Sequence, residues 1–225
     1  MSPVRPRDAA TLVLVRRDGP EPRVLMGRRA GGHAFMPGKW VFPGGRIDRG
    51  DWHVHPAADL PPETARRLAG TARPGRQDGL RFARALALAA VRETFEETGL
   101  LLARPAGPAG PAGRGPAAWQ PFRARGLAPD LSALAYIARA VTPPARTRRF
   151  DARFLMADAA CLSDLRPADS RELADVAWVT LDEAAALDLP TVTRAVLGLV
   201  ARHLAGAPPA EPPVWRWRGR AAAGD

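Results

Sequence analysis

The chain of 225 residues is long enough for one domain with a buried core, and no shift in composition requires a second. Its formal charge of +10 would suit a nucleic-acid-binding protein, but Lys39 is the only lysine and the arginines are scattered through sequence rich in Ala, Pro and Gly. We attribute the charge to a bias of the whole chain, which favours anionic, phosphate-bearing substrates without predicting a nucleic-acid partner. The single cysteine, Cys161, excludes an internal disulfide. Since the N-terminal apolar run is also too short for a signal peptide or membrane span, we expect a cytoplasmic protein with no membrane partner.

Hydropathy and turn residues predict strands and helices in mixed order. Strands are expected at residues 10–17, 23–29, 40–42, 131–142, 149–157 and 173–180, and helices at 63–69, from 80 to the acidic turn at 93–97, at 181–187 and at 191–204. A polar lead of residues 1–9 precedes a single domain at 10–205. Within it, residues 52–79 form an insertion and residues 103–129 a mobile Pro/Gly loop, and residues 206–225 are expected to be a flexible Pro-rich tail.

Three carboxylates lie close together at the end of the helix predicted from residue 80. Glu93, Glu96 and Glu97 project from neighbouring positions on one helical face. Clustered like charges repel, so a hard divalent cation between them would explain the arrangement. Taken alone, the cluster is better explained as a solvated acidic face that ends at Gly99 as a helix C-cap.

The sequence upstream favours the metal site. Residues 42–45 are Phe-Pro-Gly-Gly, and an acid, Asp51, follows Gly45 after five residues. Together with the acidic turn this resembles the Nudix box, G-x5-E-x7-R-E-U-x-E-E-x-G-U, where U is apolar. The chain departs from the box in its spacer of forty residues (52–91), in Asp51 for the first Glu and in Thr94 for the first U. The resemblance implies an α/β fold, the Nudix α/β/α sandwich with a mixed sheet, with a helical insertion inside the box.

The resemblance also implies a chemistry, because Nudix enzymes hydrolyse a nucleoside diphosphate linked to another group. It implies a bound Mg²⁺ or Mn²⁺ whose ligands are Glu93, Glu96, Glu97 and the carbonyl of Gly44. Glu93 is the candidate base by its position in the box, although the sequence does not separate base from ligand. Arg92 is expected to orient a Glu carboxylate through a bidentate pair, and Asp51 to support the junction between loop and helix.

Three longer phrases, at residues 33–48, 89–102 and 142–157, resemble the long-box branch of the family. That branch includes the mammalian peroxisomal enzyme that acts on CoA and acyl-CoA, which implies cleavage of CoA to 3′,5′-ADP and a phosphopantetheine product. The 3′-phosphate would need basic side chains, for which the candidates are Arg28, Arg29, Arg46 and Arg149. Gly45 would let the backbone approach a phosphate, and Phe35, next to His33, is a candidate for stacking on the base or for packing.

Other interpretations stay open at this point. ADP-ribose or NADH could be the substrate, and the domain could be a non-catalytic nucleotide sensor, although a sensor need not retain all three glutamates. A decapping-like enzyme acting on RNA would make use of the positive charge. Glu172 is a further candidate metal ligand or base, and His53 and His55 are more easily explained as solvated residues than as a metal pair. A homodimer is also left open.

Overall fold

The computed structural model describes residues 4–31, 36–75, 78–107, 116–144, 146–162 and 164–216. In these ranges ten strands are found: Arg7–Arg16 (β1), Arg23–Arg29 (β2), Trp40–Val41 (β3), Gly44–Arg46 (β4), Ala103–Pro105 (β5), Leu127–Pro129 (β6), Ala135–Val141 (β7), Phe150–Asp158 (β8), Leu173–Thr180 (β9) and Val214–Arg216 (β10). The same ranges contain five α-helices: Pro62–Ala69 (α1), Gly79–Thr98 (α2), Gln120–Arg123 (α3), Leu181–Ala186 (α4) and Thr191–Leu204 (α5). None of these helices is both long and apolar enough to cross a membrane.

The centre of the fold is a mixed sheet built around β1. The main path of the sheet runs β10-β7-β8-β1-β2-β3, with β4 paired to β1 and β9 paired to β2. The β1–β8 and β10–β7 pairs are parallel, whereas the other pairs of this sheet are antiparallel. β5 and β6 form a separate antiparallel pair. The mixed sheet expected from the sequence is therefore confirmed.

The sheet is buried on both faces, as the alternating side chains of β1 show. Leu12 and Leu14 belong to the apolar cluster that includes much of α2. Val13 and Val15, between and after them, belong to the second cluster, which contains the apolar residues of α5. Because successive strand residues point to opposite faces, one helix layer covers each side of the sheet. This is the α/β/α sandwich, and it is confirmed.

Helix α2 carries the acidic turn and has a defined beginning and end. The side chain of Asp78 accepts a hydrogen bond from the backbone N–H of Arg81 (2.8 Å) and caps the first turn. Gly99 ends the helix in the left-handed conformation, at φ 74°. Thr94, at the box position for an apolar residue, is fully buried, and its hydroxyl donates to the carbonyl of Ala90 (2.8 Å). A threonine is tolerated there because its polar atom is satisfied within the helix.

The insertion at 52–79 is built into the core. Its helix α1 packs along α2, with Leu68 fully buried between them. The segment that follows is fixed by Arg153 of β8, a fully buried side chain that donates to both the hydroxyl and the carbonyl of Thr71 (3.1 and 2.9 Å). Arg153 also pairs with Asp8 of β1 (2.8 Å). The insertion is thus anchored to the central strands through a buried cation.

Two segments expected to be irregular contain regular secondary structure where the structure describes them, while residues 108–115 and 217–225 of these segments lie outside the described residues. Parts of residues 103–129 form β5, β6 and α3. Trp119 and Phe122 are buried at 1% exposure, since Phe122 packs against Phe95 of α2 and Trp119 packs against Phe122. In the tail expected at 206–225, β10 adds a parallel strand beside β7. The strand expected from residue 131 begins only at Ala135, since Leu131 and Leu134 bury their side chains in a turn.

Candidate active site

The acidic turn of α2 lies against the glycines of β4. The backbone N–H of Gly44 donates to a carboxylate oxygen of Glu97 (2.8 Å), and Glu97 is only 3% exposed. Gly45 faces Glu93 so closely that a Cβ atom there would overlap the carboxyl group. Glycine is required at position 44, because φ is 155° there and a Cβ atom would overlap the backbone of Ala10 and Thr11, whereas a Cβ atom at position 45 would displace the carboxyl group of Glu93. Residues separated by about fifty positions in the sequence meet at this point.

Arg92 holds the parts of the site together. Its Nε and Nη2 atoms donate to the two carboxylate oxygens of Asp51 (2.9 and 3.1 Å). Nη1 donates to Glu93 (2.9 Å) and Glu96 (2.7 Å), and Nη2 also donates to the carbonyl of Arg46 (3.0 Å). All five N–H donors of the guanidinium thus have an acceptor within the protein. The bidentate partner is Asp51 and not one of the glutamates, so the prediction for Arg92 is wrong in its partner.

Each carboxylate oxygen of Asp51 accepts two hydrogen bonds. One carboxylate oxygen accepts from Arg92 and from the indole N–H of Trp119 (3.2 Å), and the other accepts from Arg92 and from the backbone N–H of Asp48 (2.8 Å). The side chain has no exposed surface. Trp119 was not singled out as a site residue from the sequence. The available signal was a tryptophan and a phenylalanine in a stretch otherwise poor in apolar side chains, which is typical of an anchored segment.

The electrostatics of the turn favour a bound cation. Burial raises the pKa of Glu93 to about 7, and the charge of Glu172 adds to the shift. Burial raises the pKa of Glu97 to about 8, and the charges of Glu93 and Glu172 add to it. Removing carboxylates from water is costly unless a positive charge compensates. The donor set, several carboxylates and the backbone of Gly44, is the kind that Mg²⁺ and Mn²⁺ prefer. The residues therefore fit a divalent cation in their chemistry.

The carboxylates are not arranged as a finished metal site. Glu93 and Glu96 both point at the same nitrogen of Arg92, and the side chain of Glu96 is 40% exposed. In the part of the chain that the structure describes, no three His, Cys, Asp or Glu side chains converge as metal ligands do. Holding a cation would thus require small rotations of these glutamates.

The predicted substrate-binding residues lie in different places. Arg29 lies close enough to Glu97 for its charge to lower the pKa of that carboxyl, against the larger opposing effect of burial. Arg28, the preceding residue on β2, points to the opposite face and pairs with Asp175 (2.6 Å). Arg46 is exposed next to Gly45. Arg149 donates to the carbonyls of Thr142 and Val4, away from the glutamates. Phe35 lies outside the described residues.

The fold and this site define the class of the protein, a Nudix hydrolase. The crystal structure of a NUDIX hydrolase from Alicyclobacillus acidocaldarius is similar, with a TM-score of 0.61 and 32% sequence identity over 87% of this chain and 91% of that one. The family described as the NUDT19 Nudix domain matches residues 6–188, and the chain belongs to that family.

Two curated relatives are similar at modest identity. The chain is 29% identical over 235 residues to acyl-coenzyme A diphosphatase NUDT19 of Gallus gallus, which covers 79% of this chain and 62% of that protein. It is 32% identical over 207 residues to acyl-coenzyme A diphosphatase NUDT19 of Homo sapiens, which covers 72% of this chain and 54% of that protein. The chain thus spans between about half and three fifths of the length of these relatives.

Proposed function

We propose that this domain is a Mg²⁺- or Mn²⁺-dependent pyrophosphohydrolase that cleaves CoA or acyl-CoA to 3′,5′-ADP and (acyl)phosphopantetheine. The observation that carries the proposal is the buried junction of the acidic turn with Gly44 and Gly45, in a chain of the NUDT19 Nudix domain family. The relatives named as acyl-CoA diphosphatases support the choice of substrate.

The glutamates of the acidic turn and Arg92 would have different roles in the reaction. Glu93, Glu96 and Glu97, with the carbonyl of Gly44, would hold the cation, which when bound supplies charge neutralisation at the pyrophosphate and lowers the pKa of water. Arg92 is a positioning residue, because every one of its donors is already used by the protein. It limits the motion of Glu93 and Glu96.

The reaction adds water across the pyrophosphate. The water oxygen bonds to one phosphorus, the bridging oxygen leaves with the other phosphate, and the water proton passes to a carboxylate, for which Glu93 is the candidate by its position in the box. Glu172, whose charge acts on both Glu93 and Glu97, is the candidate for a fourth carboxylate at the site. Arg29 lies where its positive charge would act on an anionic substrate.

Product analysis tests the proposal directly. Purified protein is incubated with Mg²⁺ and, separately, with CoA, acetyl-CoA, ADP-ribose, NADH and a dinucleoside polyphosphate, and the products are separated by chromatography. We expect 3′,5′-ADP from CoA or acetyl-CoA well ahead of any other product. Preferential release of AMP from ADP-ribose or NADH would keep the Nudix chemistry and refute the CoA substrate. If none of these substrates is turned over with Mg²⁺ or Mn²⁺, the result favours the non-catalytic nucleotide sensor.

Substitution of the glutamates tests the site. Glu96→Gln and Glu97→Gln each remove one negative charge and keep the side-chain size, so we expect folded proteins that lose most of their activity. Near-normal rates with Mg²⁺ in both variants would show that the acidic turn is not the metal site. The cytoplasmic location and the homodimer stay predictions from the sequence.

A further inference from the structure

A groove of about 580 Å³ lies beside the acidic site. One wall is the segment that begins β1, with Arg5 and Arg7, and the other is the segment that continues β4, with Arg46 and Arg49. The two walls are joined by the hydrogen bond from the N–H of Ile47 to the carbonyl of Asp8 (3.1 Å). Arg73 and Trp52, both from the insertion, also line the groove.

The groove carries a net positive charge, because five arginines line it against the two acids Asp8 and Asp48. Arg5, Arg7, Arg46 and Arg49 are exposed, and none of the four forms an ion pair with a residue that the structure describes. Of the two acids that line the groove, Asp8 is already paired with Arg153 (2.8 Å) and lies 3.6 Å from Arg73. Asp48 binds the backbone N–H of Arg49. Four guanidinium groups around one groove favour a ligand with more than one phosphate.

The groove is continuous with the acidic site through the backbone of residues 44–52. Gly44 contacts Glu97, Gly45 contacts Glu93, and the carbonyl of Arg46 accepts from Arg92. Further along, the carbonyl of Trp52 accepts from Arg81, in the first turn of α2. The segment therefore runs antiparallel to α2, from the carboxylates at one end to Trp52 at the other. A ligand whose pyrophosphate lies at the glutamates would have its next groups in this groove.

We propose that the groove binds the 3′-phosphorylated adenosine half of the substrate, with Arg7 and Arg49 contacting the 3′-phosphate. This inference rests on the proposed function and assigns one half of the CoA molecule to one surface. The pantetheine half has no charge that would need four arginines, so it would extend from the glutamates away from the groove. The indole of Trp52 also lines the groove, where it packs against the ring of Phe82 and against the guanidinium of Arg81.

Binding of two nucleotides that differ in one phosphate tests the groove without any turnover. The probes are 3′,5′-ADP and 5′-AMP, and binding to the full chain is measured by calorimetry in Mg²⁺. We expect 3′,5′-ADP to bind at least about tenfold more tightly, since charge-assisted hydrogen bonds are worth a factor of that order. The double variant Arg7→Ala/Arg49→Ala should lose most of this preference. The control Arg166→Ala/Arg202→Ala removes the same charge from exposed arginines outside the groove and should retain it.

Kinetics with CoA and dephospho-CoA separate this inference from the proposed reaction. In the groove variant Arg7→Ala/Arg49→Ala, the ratio of kcat/KM for CoA to kcat/KM for dephospho-CoA should fall about tenfold. In the control variant Arg166→Ala/Arg202→Ala, this ratio should be unchanged. If CoA is cleaved to 3′,5′-ADP but the ratio is unchanged in the groove variant, the reaction stands and the groove assignment is wrong. If CoA is not cleaved but 3′,5′-ADP still binds through Arg7 and Arg49, the groove stands and the reaction is wrong. Equal binding of the two nucleotides by the unmodified protein, or tighter binding of single-stranded RNA than of 3′,5′-ADP, would overturn the assignment.

Discussion

The buried pair between Asp51 and Arg92 is the contact whose loss should be most informative. Asp51→Asn keeps the size of the side chain but replaces one carboxylate oxygen with an N–H donor that faces the guanidinium. Arg92, with 5% of its side chain exposed, would then keep a buried charge without its main counter-charge. Breaking one side of a buried ion pair costs about 3–5 kcal/mol of unfolding free energy. Since domains are stable by about 5–15 kcal/mol, most of the variant should stay folded at room temperature.

A matched control is available on the surface of the insertion. Asp59 forms the same kind of pair with Arg84, but the two side chains are 51% and 39% exposed. Asp59→Asn should therefore cost less than about 1 kcal/mol. Urea unfolding of both variants measures the difference, and the melting temperature of Asp51→Asn should fall by roughly 10 °C.

A second measurement distinguishes positioning from stability alone. If Arg92 orients Glu93 and Glu96 for the cation, the loss of Asp51 should raise the Mg²⁺ concentration for half-maximal activity by about tenfold or more, measured where the variant is fully folded. Asp59→Asn should leave this concentration unchanged. The reasoning is refuted if Asp51→Asn costs no more stability than its control, or if its Mg²⁺ dependence equals that of the unmodified protein.

Three further predictions follow from the same geometry. Gly45→Ala should abolish activity, because its methyl group would displace Glu93. The control Gly198→Ala, in an open helical position, should keep activity and raise the free energy of unfolding by about 0.5–1 kcal/mol. Hydrolysis assays and thermal melts check both variants. Trp119→Phe removes one hydrogen bond from a buried carboxylate and should lower the free energy of unfolding by about 1–3 kcal/mol in urea. In metal-free protein the raised pKa values of Glu93 and Glu97, about 7 and 8, make the folded state bind more protons than the unfolded state, whose carboxyls titrate near 4.5. Stability in EDTA should therefore fall as the pH rises from 4.5 to 8, by up to about 1.4 kcal/mol per pH unit for each carboxyl, and Glu97→Gln should reduce the slope.

The sequence predicts best where one local signal dominates. The amphipathic helix expected at 191–204 and the strand expected at 23–29 have the same bounds in the structure. Gly99 ends α2 as a C-cap, which a glycine after an apolar helical stripe indicates. In these segments the local propensity and the tertiary packing favour the same conformation, so a short stretch of sequence is sufficient to predict the secondary structure.

The predictions fail where a contact between residues far apart in the sequence determines the local structure. Nothing within residues 117–123 indicates that Trp119 bonds Asp51, because the partner is 68 positions away. The strand β10 consists of three residues that are ordered by pairing with β7, a contact that depends on where the chain leaves α5. The bidentate partner of Arg92 was missed for the same reason, because Asp51 is separated from it by the whole insertion. Tertiary pairing, rather than propensity, sets these features.

The ion pair between Asp51 and Arg92 also explains how the Nudix box tolerates a spacer of forty residues in place of seven. Lengthening a flexible connection by this factor costs about 1.5 kcal/mol, because each doubling adds about 0.6 kcal/mol of closure entropy. The insertion recovers such a cost by burying Leu60 and Leu68 in the core and by bonding Thr71 to Arg153. On one side of the insertion Asp51 binds Arg92, and on the other α2 starts directly at its end. The two halves of the box are thus held by contacts across the insertion and not by the length of the chain between them, so the insertion can also supply Trp52 and Arg73 to the lining of the groove.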